Sequence, residues 1–201
     1  MKKLIYFALL SLCLFSCIQS PQTANTNKEA VEAKPYKVFE VVDSAISLYP
    51  NLYVNDVQKE RFCKYLYMEL NKKLTEDNAY LSEIPLKFSQ MLKKDNGKYI
   101  LKFECGKYST NDEQLVSDNS KTEIDFAVFT EVDEDFASTL EDNAIYTLTG
   151  KYEGYVDGKL TLPSGRVFDY SNSCFKSSSE EYGTVCLGGF LFSDVQVKKN
   201  N

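Results

Sequence analysis

Histidine is absent from this sequence of 201 residues, and so is tryptophan. Without an imidazole, the chain cannot form a Ser-His-Asp or Cys-His catalytic site, or a metal site that uses histidine. Only two arginines occur, Arg61 and Arg166. The chain therefore has few side chains that can bind a phosphate group through two hydrogen bonds. We therefore expect neither a catalytic triad nor a bound metal or cofactor.

Positive charge is also scarce. The sequence has 23 Lys and Arg against 29 Asp and Glu, which gives a net charge of −6 at pH 7. Proteins that bind nucleic acid through its phosphates are usually basic, because their cations replace the counterions of the backbone. The acidic balance predicts that nucleic acid is not a partner.

A long apolar run is missing as well, but a short one opens the chain. Residues 4–16 form an uncharged, mostly apolar run of 13 residues behind Lys2 and Lys3. A helix needs about 20 apolar residues to cross a bilayer, so this run is too short for a permanent span. Its length and its positive flank are typical of a signal peptide.

The end of that run, Leu14-Phe15-Ser16-Cys17, resembles the lipobox of bacterial lipoproteins. The resemblance implies cleavage between Ser16 and Cys17 and acylation of Cys17, with fatty acids such as palmitate as the membrane anchor. It implies a lipid-anchored protein of the bacterial cell envelope. By analogy with the sorting rules of other bacterial lipoproteins, Ile18 and the lack of an acidic cluster after Cys17 imply the outer membrane and its periplasmic face. The alternative is an ordinary signal peptide, with Cys17 as one more cysteine.

Composition divides the rest of the chain. Residues 17–35 combine the predicted lipid site with a polar, Pro-containing segment that has few large apolar side chains. Such a segment cannot bury enough surface to offset its ordering entropy, so we interpret it as a tether. Residues 36–201 then form a single globular domain, with a helical part at 36–76 and a β-barrel part at 80–198.

Four cysteines follow the predicted anchor: Cys63, Cys105, Cys174 and Cys186. An even number in an exported chain predicts disulfides, and four cysteines allow three pairings. We favour Cys174–Cys186 together with Cys63–Cys105, because the loop between Cys174 and Cys186 is short and easily closed. A four-cysteine zinc site and buried reduced thiols are the alternatives, although the sequence has no Cys-x-x-Cys pair.

Apolar periodicity predicts helices in the first part of the domain. In residues 55–74, apolar side chains recur at every fourth position from Phe62 to Leu74, and Asn55 is suited to cap the start. A shorter helix is expected within residues 37–48. A third short helix is expected at 133–142, with Phe136 and Leu140 facing inward.

Alternating patterns predict strands in the second part of the domain. Gly150 falls inside one of them, where glycine often marks a bulge. Asp157-Gly158 is a hairpin signal, which predicts that residues 159–162 pair back on the strand before them. The predicted strands are 86–92, 99–105, 124–132, 146–152 and a last one at 185–197, broken by Gly188-Gly189.

This order of elements predicts an α+β fold: a small OB-like β-barrel with an N-terminal amphipathic helix and one short helix between strands. The likeness to an OB-fold rests on the pattern of residues 124–162 rather than on a motif. A β-sandwich with peripheral helices is the alternative. OB-folds bind oligosaccharides or oligonucleotides on one strand face and its loops, so the resemblance implies a binding surface there.

The sequence has 14 tyrosines and 13 phenylalanines, most of which we assign to the core and the strands. A minority are candidates for a stacking surface at the mouth of the barrel. Arg166, in a Ser-Gly-Arg turn, is a candidate for holding an anion, with a plain hairpin turn as the alternative. The candidate binding surface is Tyr152, Tyr155, Tyr170, Tyr182 and Arg166.

These observations predict a non-catalytic binding or interaction lipoprotein of the cell envelope. Its partners would be the membrane, through the lipid, and an envelope protein or a glycan. Two alternatives remain open. One is an envelope enzyme that acts on glycans with paired carboxylates, and the other is a small acidic inhibitor or immunity-type protein that masks a basic partner.

Overall fold

A computed structural model describes part of the domain, within the compact unit Lys34–Asn201. The predicted leader, Cys17 and the tether lie outside the described residues. For 158–161, 167–170 and 175–176 only the backbone is described. The described residues are 36–52, 55–105, 117, 119–120, 122–156, 158–161, 167–170, 175–176 and 184–200.

Two helices open the described part, α1 (Lys37–Leu48) and α2 (Asp56–Glu76). Asn55 caps α2, because its side-chain oxygen accepts a hydrogen bond from the Gln58 backbone N–H at 3.1 Å. The side chains of the predicted apolar row of α2 are each at most 1% exposed. Both predicted helices are confirmed. Within the described residues, no helix is long and apolar enough to cross a membrane.

The strands are β1 (Leu86–Lys93), β2 (Tyr99–Cys105), β3 (Glu123–Val132), β4 (Ile145–Val156), β5 (Gly158–Thr161), β6 (Val167–Tyr170), β7 (Phe175–Lys176) and β8 (Thr184–Lys199). Five of them form a closed ring, in the order β1, β2, β3, β8, β4 and back to β1. All the pairings in the ring are antiparallel except β3 with β8, which is parallel. The fold is therefore α+β with a barrel-like sheet.

Aromatic side chains fill the inside of the ring. Phe88, Phe103, Phe126 and Phe190 come from four different strands, and each is at most 1% exposed. Burying a side chain of this size contributes roughly 1.5–3 kcal/mol. The apolar faces of α1 and α2 join the same core, so helices and ring form one packed body.

The short helix between β3 and β4 is α3 (Glu134–Ala137), which is much shorter than predicted. Asp133 caps it by accepting a hydrogen bond from the Phe136 N–H at 2.8 Å. Directly after it, the hydroxyls of Ser138 and Thr139 donate to the carbonyl oxygens of Asp135 and Phe136. Side chains that bind nearby carbonyls in this way compete with helical structure.

Two strand predictions are wrong in detail. The predicted return of residues 159–162 onto β4 is wrong over its described part, because β5 (Gly158–Thr161) pairs with β6 in a separate two-stranded sheet. The last strand is not broken at Gly188-Gly189. It continues through both glycines, and the register between β3 and β8 shifts there while Gly188 takes a φ of 93°. Glycine tolerates this left-handed conformation, which lets the strand bulge without ending.

Gly150 lies at a bulge, as predicted from its place inside a strand. The register between β4 and β8 shifts between Thr149 and Lys151. A Cβ atom on Gly150 would lie 2.9 Å from the Ser193 carbonyl oxygen and 3.0 Å from Val195 Cγ2. No side chain fits there unless β8 moves.

We expect Gly150→Ala to destabilise the protein by about 1–3 kcal/mol, the usual effect of overpacking a well-packed site. The measurement is the midpoint of unfolding in urea, followed by circular dichroism. An unchanged midpoint would contradict the close approach of β8 to Gly150.

The favoured disulfide pairings are wrong. Cys105 and Cys186 are buried reduced thiols, whereas Cys63 is disulfide-bonded. Cys105 belongs to the core inside the ring, and burial, followed by the charge of Asp125, raises the pKa of its thiol. A short loop says how easily two cysteines can meet, but it does not say which way their sulfurs point. Cys174 lies outside the described residues.

Cys105 and Cys186 also do not pair with each other. They lie opposite neighbouring residues of β3, one on each side of that strand. Two strand spacings amount to about 9.6 Å, which exceeds the reach of about 7 Å between the Cα atoms of a disulfide. In the described part of the chain, no group of three or more potential metal ligands occurs.

Candidate functional site

Tyr152 and Tyr155 lie between β4 and α2. The Tyr155 ring packs edge-on against Tyr67 of α2, with 5.2 Å between ring centroids, and lies 5.2 Å from the Phe190 ring. The Tyr152 hydroxyl donates to the Asn71 side-chain oxygen on α2 at 3.1 Å. Both tyrosines thus join the helix to the ring. They are half-buried contacts of the core and do not form an open stacking surface.

The structure does not describe the side chains of the other three residues of the predicted binding surface. The backbone of Tyr170 ends β6, and its side chain is not described. Tyr182 and Arg166 lie outside the described residues. The structure brings Tyr152 and Tyr155 together, with 6.2 Å between their ring centroids.

Burial changes the acidity of these phenols. It raises the pKa of Tyr152 to about 12, and burial together with the neighbouring Tyr152 and Tyr67 also raises the pKa of Tyr155. A pKa raised by folding means that the folded state favours the neutral phenol. The resulting stability is present below the unfolded pKa of about 10 and is lost as pH rises through the folded value.

The buried Cys105 thiol also has a raised pKa, so we expect stability to begin to fall near the ordinary thiol pKa of about 8.5 and to fall more steeply above about pH 10, where the phenols ionise in the unfolded state. The measurement is urea unfolding at a series of alkaline pH values, with phenolate absorbance recorded in parallel. Tyr152→Phe keeps the ring and removes one titration, so part of the fall should disappear in this variant. Full tyrosine ionisation near pH 10 without loss of structure would contradict the role of the two rings.

A second apolar cluster lies on the outside of the ring. Its buried members are Ile100, Ala127 and Phe129, and Leu92 and Val156 pack against them. The Phe129 ring lies across Gly189, where a Cβ atom would be only 2.9 Å from it. Leu191, which pairs with Phe129, is 40% exposed. This cluster was not predicted, because an alternating pattern assigns only one apolar face to each strand.

A groove of about 240 Å³ lies elsewhere on the ring, beside β4 and β8. Ser82, in the turn that follows α2, contributes to its lining. Thr147 and Thr149 of β4 pair with Lys198 and Gln196 of β8. Leu148 and Val197 complete the lining. We call this site the β4–β8 groove.

The β4–β8 groove has an unusual electrostatic setting. Among the eight lysines of the ring strands and of the turn between β1 and β2, Lys87 and Lys198 have no carboxylate of a described residue within salt-bridge distance. Lys198 lines the groove, and the register places Lys87 beside Ile145, two residues before Thr147. The other six form ion pairs: Lys93, Lys94, Lys98, Lys102, Lys151 and Lys199.

The groove offers hydroxyl, amide and ammonium groups, and no carboxylate lines it. These groups suit binding, since hydroxyls and amides both donate and accept hydrogen bonds. A general acid or base would have to come from elsewhere. One sequence signal was available: the alternation of Tyr146, Leu148 and Gly150 places Thr147 and Thr149 on the outer face. The contribution of Ser82 had no such signal.

Comparisons with protein-family models, curated proteins and solved structures found nothing that matches this chain. The inferences about its role therefore depend on its own residues and geometry.

Proposed function

We propose that this protein is a non-catalytic binding module of the bacterial cell envelope, anchored by lipid on Cys17. The observation that carries the binding role is the β4–β8 groove, which is lined by hydrogen-bonding groups and by the ammonium group of Lys198, which no carboxylate of a described residue pairs. Such a site holds a small polar ligand by donors and acceptors, and its lining lacks the carboxylate pair of a glycan hydrolase.

We further propose that the ring is an OB-fold. An OB-fold is a five-stranded, partly open Greek-key barrel. In support, the ring has five strands, closes through the parallel pairing of β3 with β8, and places α3 between β3 and β4. β5, β6 and β7 would then be an insertion before the last barrel strand.

The proposed compartment has support from cysteine chemistry. A disulfide on Cys63 fits an oxidising environment, because cytosolic thiols are kept reduced. The apolar run at 4–16 and the lipobox-like end at Cys17 point to the same compartment. We propose the outer membrane and its periplasmic face as the location.

The binding role is tested with the purified mature protein on an array of bacterial and neutral glycans, with single-stranded DNA as a comparison. We expect glycans to bind and to remain intact. We expect DNA not to bind, because the net negative charge of the protein repels it. Release of shortened glycan products would contradict the non-catalytic role. Retention of DNA, or of no glycan at all, would contradict the proposed ligand class.

A further inference from the structure

We infer that the β4–β8 groove binds a sugar that carries one carboxylate, such as a uronic acid residue. Lys198 would hold the carboxylate, and Thr147, Thr149, Gln196 and Ser82 would hydrogen-bond to the ring hydroxyls. This inference rests on the proposed binding function and specifies its ligand. It rests on three features of the groove: its polar groups, its charge and its size.

The polar groups match a sugar ring. A threonine or serine hydroxyl donates one hydrogen bond and accepts two, and a glutamine amide donates and accepts. Sugar hydroxyls need the same mixture, whereas a simple anion needs donors only. The Thr147 hydroxyl makes only a 3.5 Å contact with the Lys198 carbonyl oxygen. At the limit of hydrogen-bond length, this contact leaves the hydroxyl available to a ligand.

The charge selects one acidic group. The chain as a whole is acidic, with a net charge of −6, and six of the eight lysines considered above form ion pairs. Within the described part of the chain, Lys198 in the groove has no such partner, and Lys87 lies on the same outer face. Ammonium groups that are paired with no carboxylate of a described residue attract the carboxylate of a sugar, whereas the net negative charge of the chain disfavours an anion as densely charged as nucleic acid.

The size limits the ligand to a single ring. Pockets for drug-sized ligands are about 300–1,000 Å³, and this groove has about 240 Å³. The groove is open to solvent, so further sugars of a chain could extend outward. Both a free uronic acid and a uronic acid residue within a polysaccharide share the chemistry that the groove recognises.

The test is a titration of the full mature protein followed by ligand-observed NMR. The ligands are glucuronate, glucose, an oligouronide and inorganic phosphate. We expect glucuronate to bind at least about tenfold more tightly than glucose, which corresponds to one charge-assisted hydrogen bond. Lys198→Met should reduce the affinity for glucuronate to the affinity for glucose. Thr149→Val should weaken the binding of both sugars, because valine lacks the threonine hydroxyl but has nearly the same shape.

Lys151→Met is the matched control, because Lys151 lies on β4, two residues after Thr149, but is paired with Glu153 at 2.8 Å. It should leave every affinity unchanged. If an oligouronide binds at least as well as glucuronate, the ligand is a uronic acid residue of a polysaccharide. If the oligouronide does not bind, the ligand is the free sugar.

Several results would overturn the inference. These are equal affinity for glucose and glucuronate, unchanged binding in Lys198→Met, an equal loss in Lys151→Met, and binding of phosphate as tight as that of glucuronate. Failure here can be distinguished from failure of the proposed function. A protein that binds other glycans but not uronic acids keeps its binding role, whereas one that cleaves glycans or binds none does not.

Discussion

Cys17→Ser should leave the precursor with its leader attached and free of fatty acid. The resemblance to a lipobox implies that the cysteine sulfur is acylated before the chain is cut, so serine at this position stops both steps. Each buried methylene of an acyl chain contributes about 0.8 kcal/mol, and two or three chains are needed for firm anchoring. The wild-type protein should therefore resist extraction with carbonate.

The measurement combines labelling with radioactive palmitate and the mass of the N-terminal peptide. Cys13→Ser is the matched control, because it removes a thiol from the same apolar run and should still be cut and acylated. A Cys17→Ser protein that is processed normally and stays in the membrane fraction would contradict the lipid anchor.

Cys63→Ser should lower the stability of the mature protein by about 2–5 kcal/mol, the usual loss for a native disulfide in a small exported domain. Because Cys63 is disulfide-bonded while Cys105 and Cys186 are reduced, its partner must be another cysteine. If the leader is removed and Cys17 is acylated, the sequence leaves Cys174. We expect non-reducing peptide mapping to recover Cys63 linked to Cys174.

Thiol alkylation provides the control for this map. Cys105 should react only after unfolding, because burial raises the pKa of its thiol and removes it from solvent. Two results of the peptide map would contradict different claims. A disulfide between Cys63 and Cys17 would contradict the lipid anchor as well as the pairing. A reactive Cys63 thiol in the folded, acylated protein would contradict the pairing alone.

Local features of this fold could be predicted from the sequence. The start of α2 follows from a capping side chain and an apolar row at every fourth residue, both properties of neighbouring residues. The bulge at Gly150 follows from a glycine inside an alternating strand. The α+β class follows from the order of such elements.

Features that depend on distant segments could not be predicted. Whether Tyr152 and Tyr155 are open to a ligand depends on where α2 packs, and spacing along β4 does not contain that information. The disulfide pairing failed for the same reason, since separation in sequence does not give the direction of a sulfur. The groove combines a turn and two strands, so no single stretch of sequence shows it.

The parallel pairing of β3 with β8 also has a consequence for folding. Ile124 pairs with Val185, so the two strands that close the ring are distant in the sequence. Pairings between distant strands form slowly, because the intervening chain must be ordered before the contacts are gained. Until β8 pairs, β3 exposes the unsatisfied backbone groups of a strand edge, and such an edge is a template for pairing with another chain. We therefore expect aggregation to compete with refolding chiefly before the ring closes.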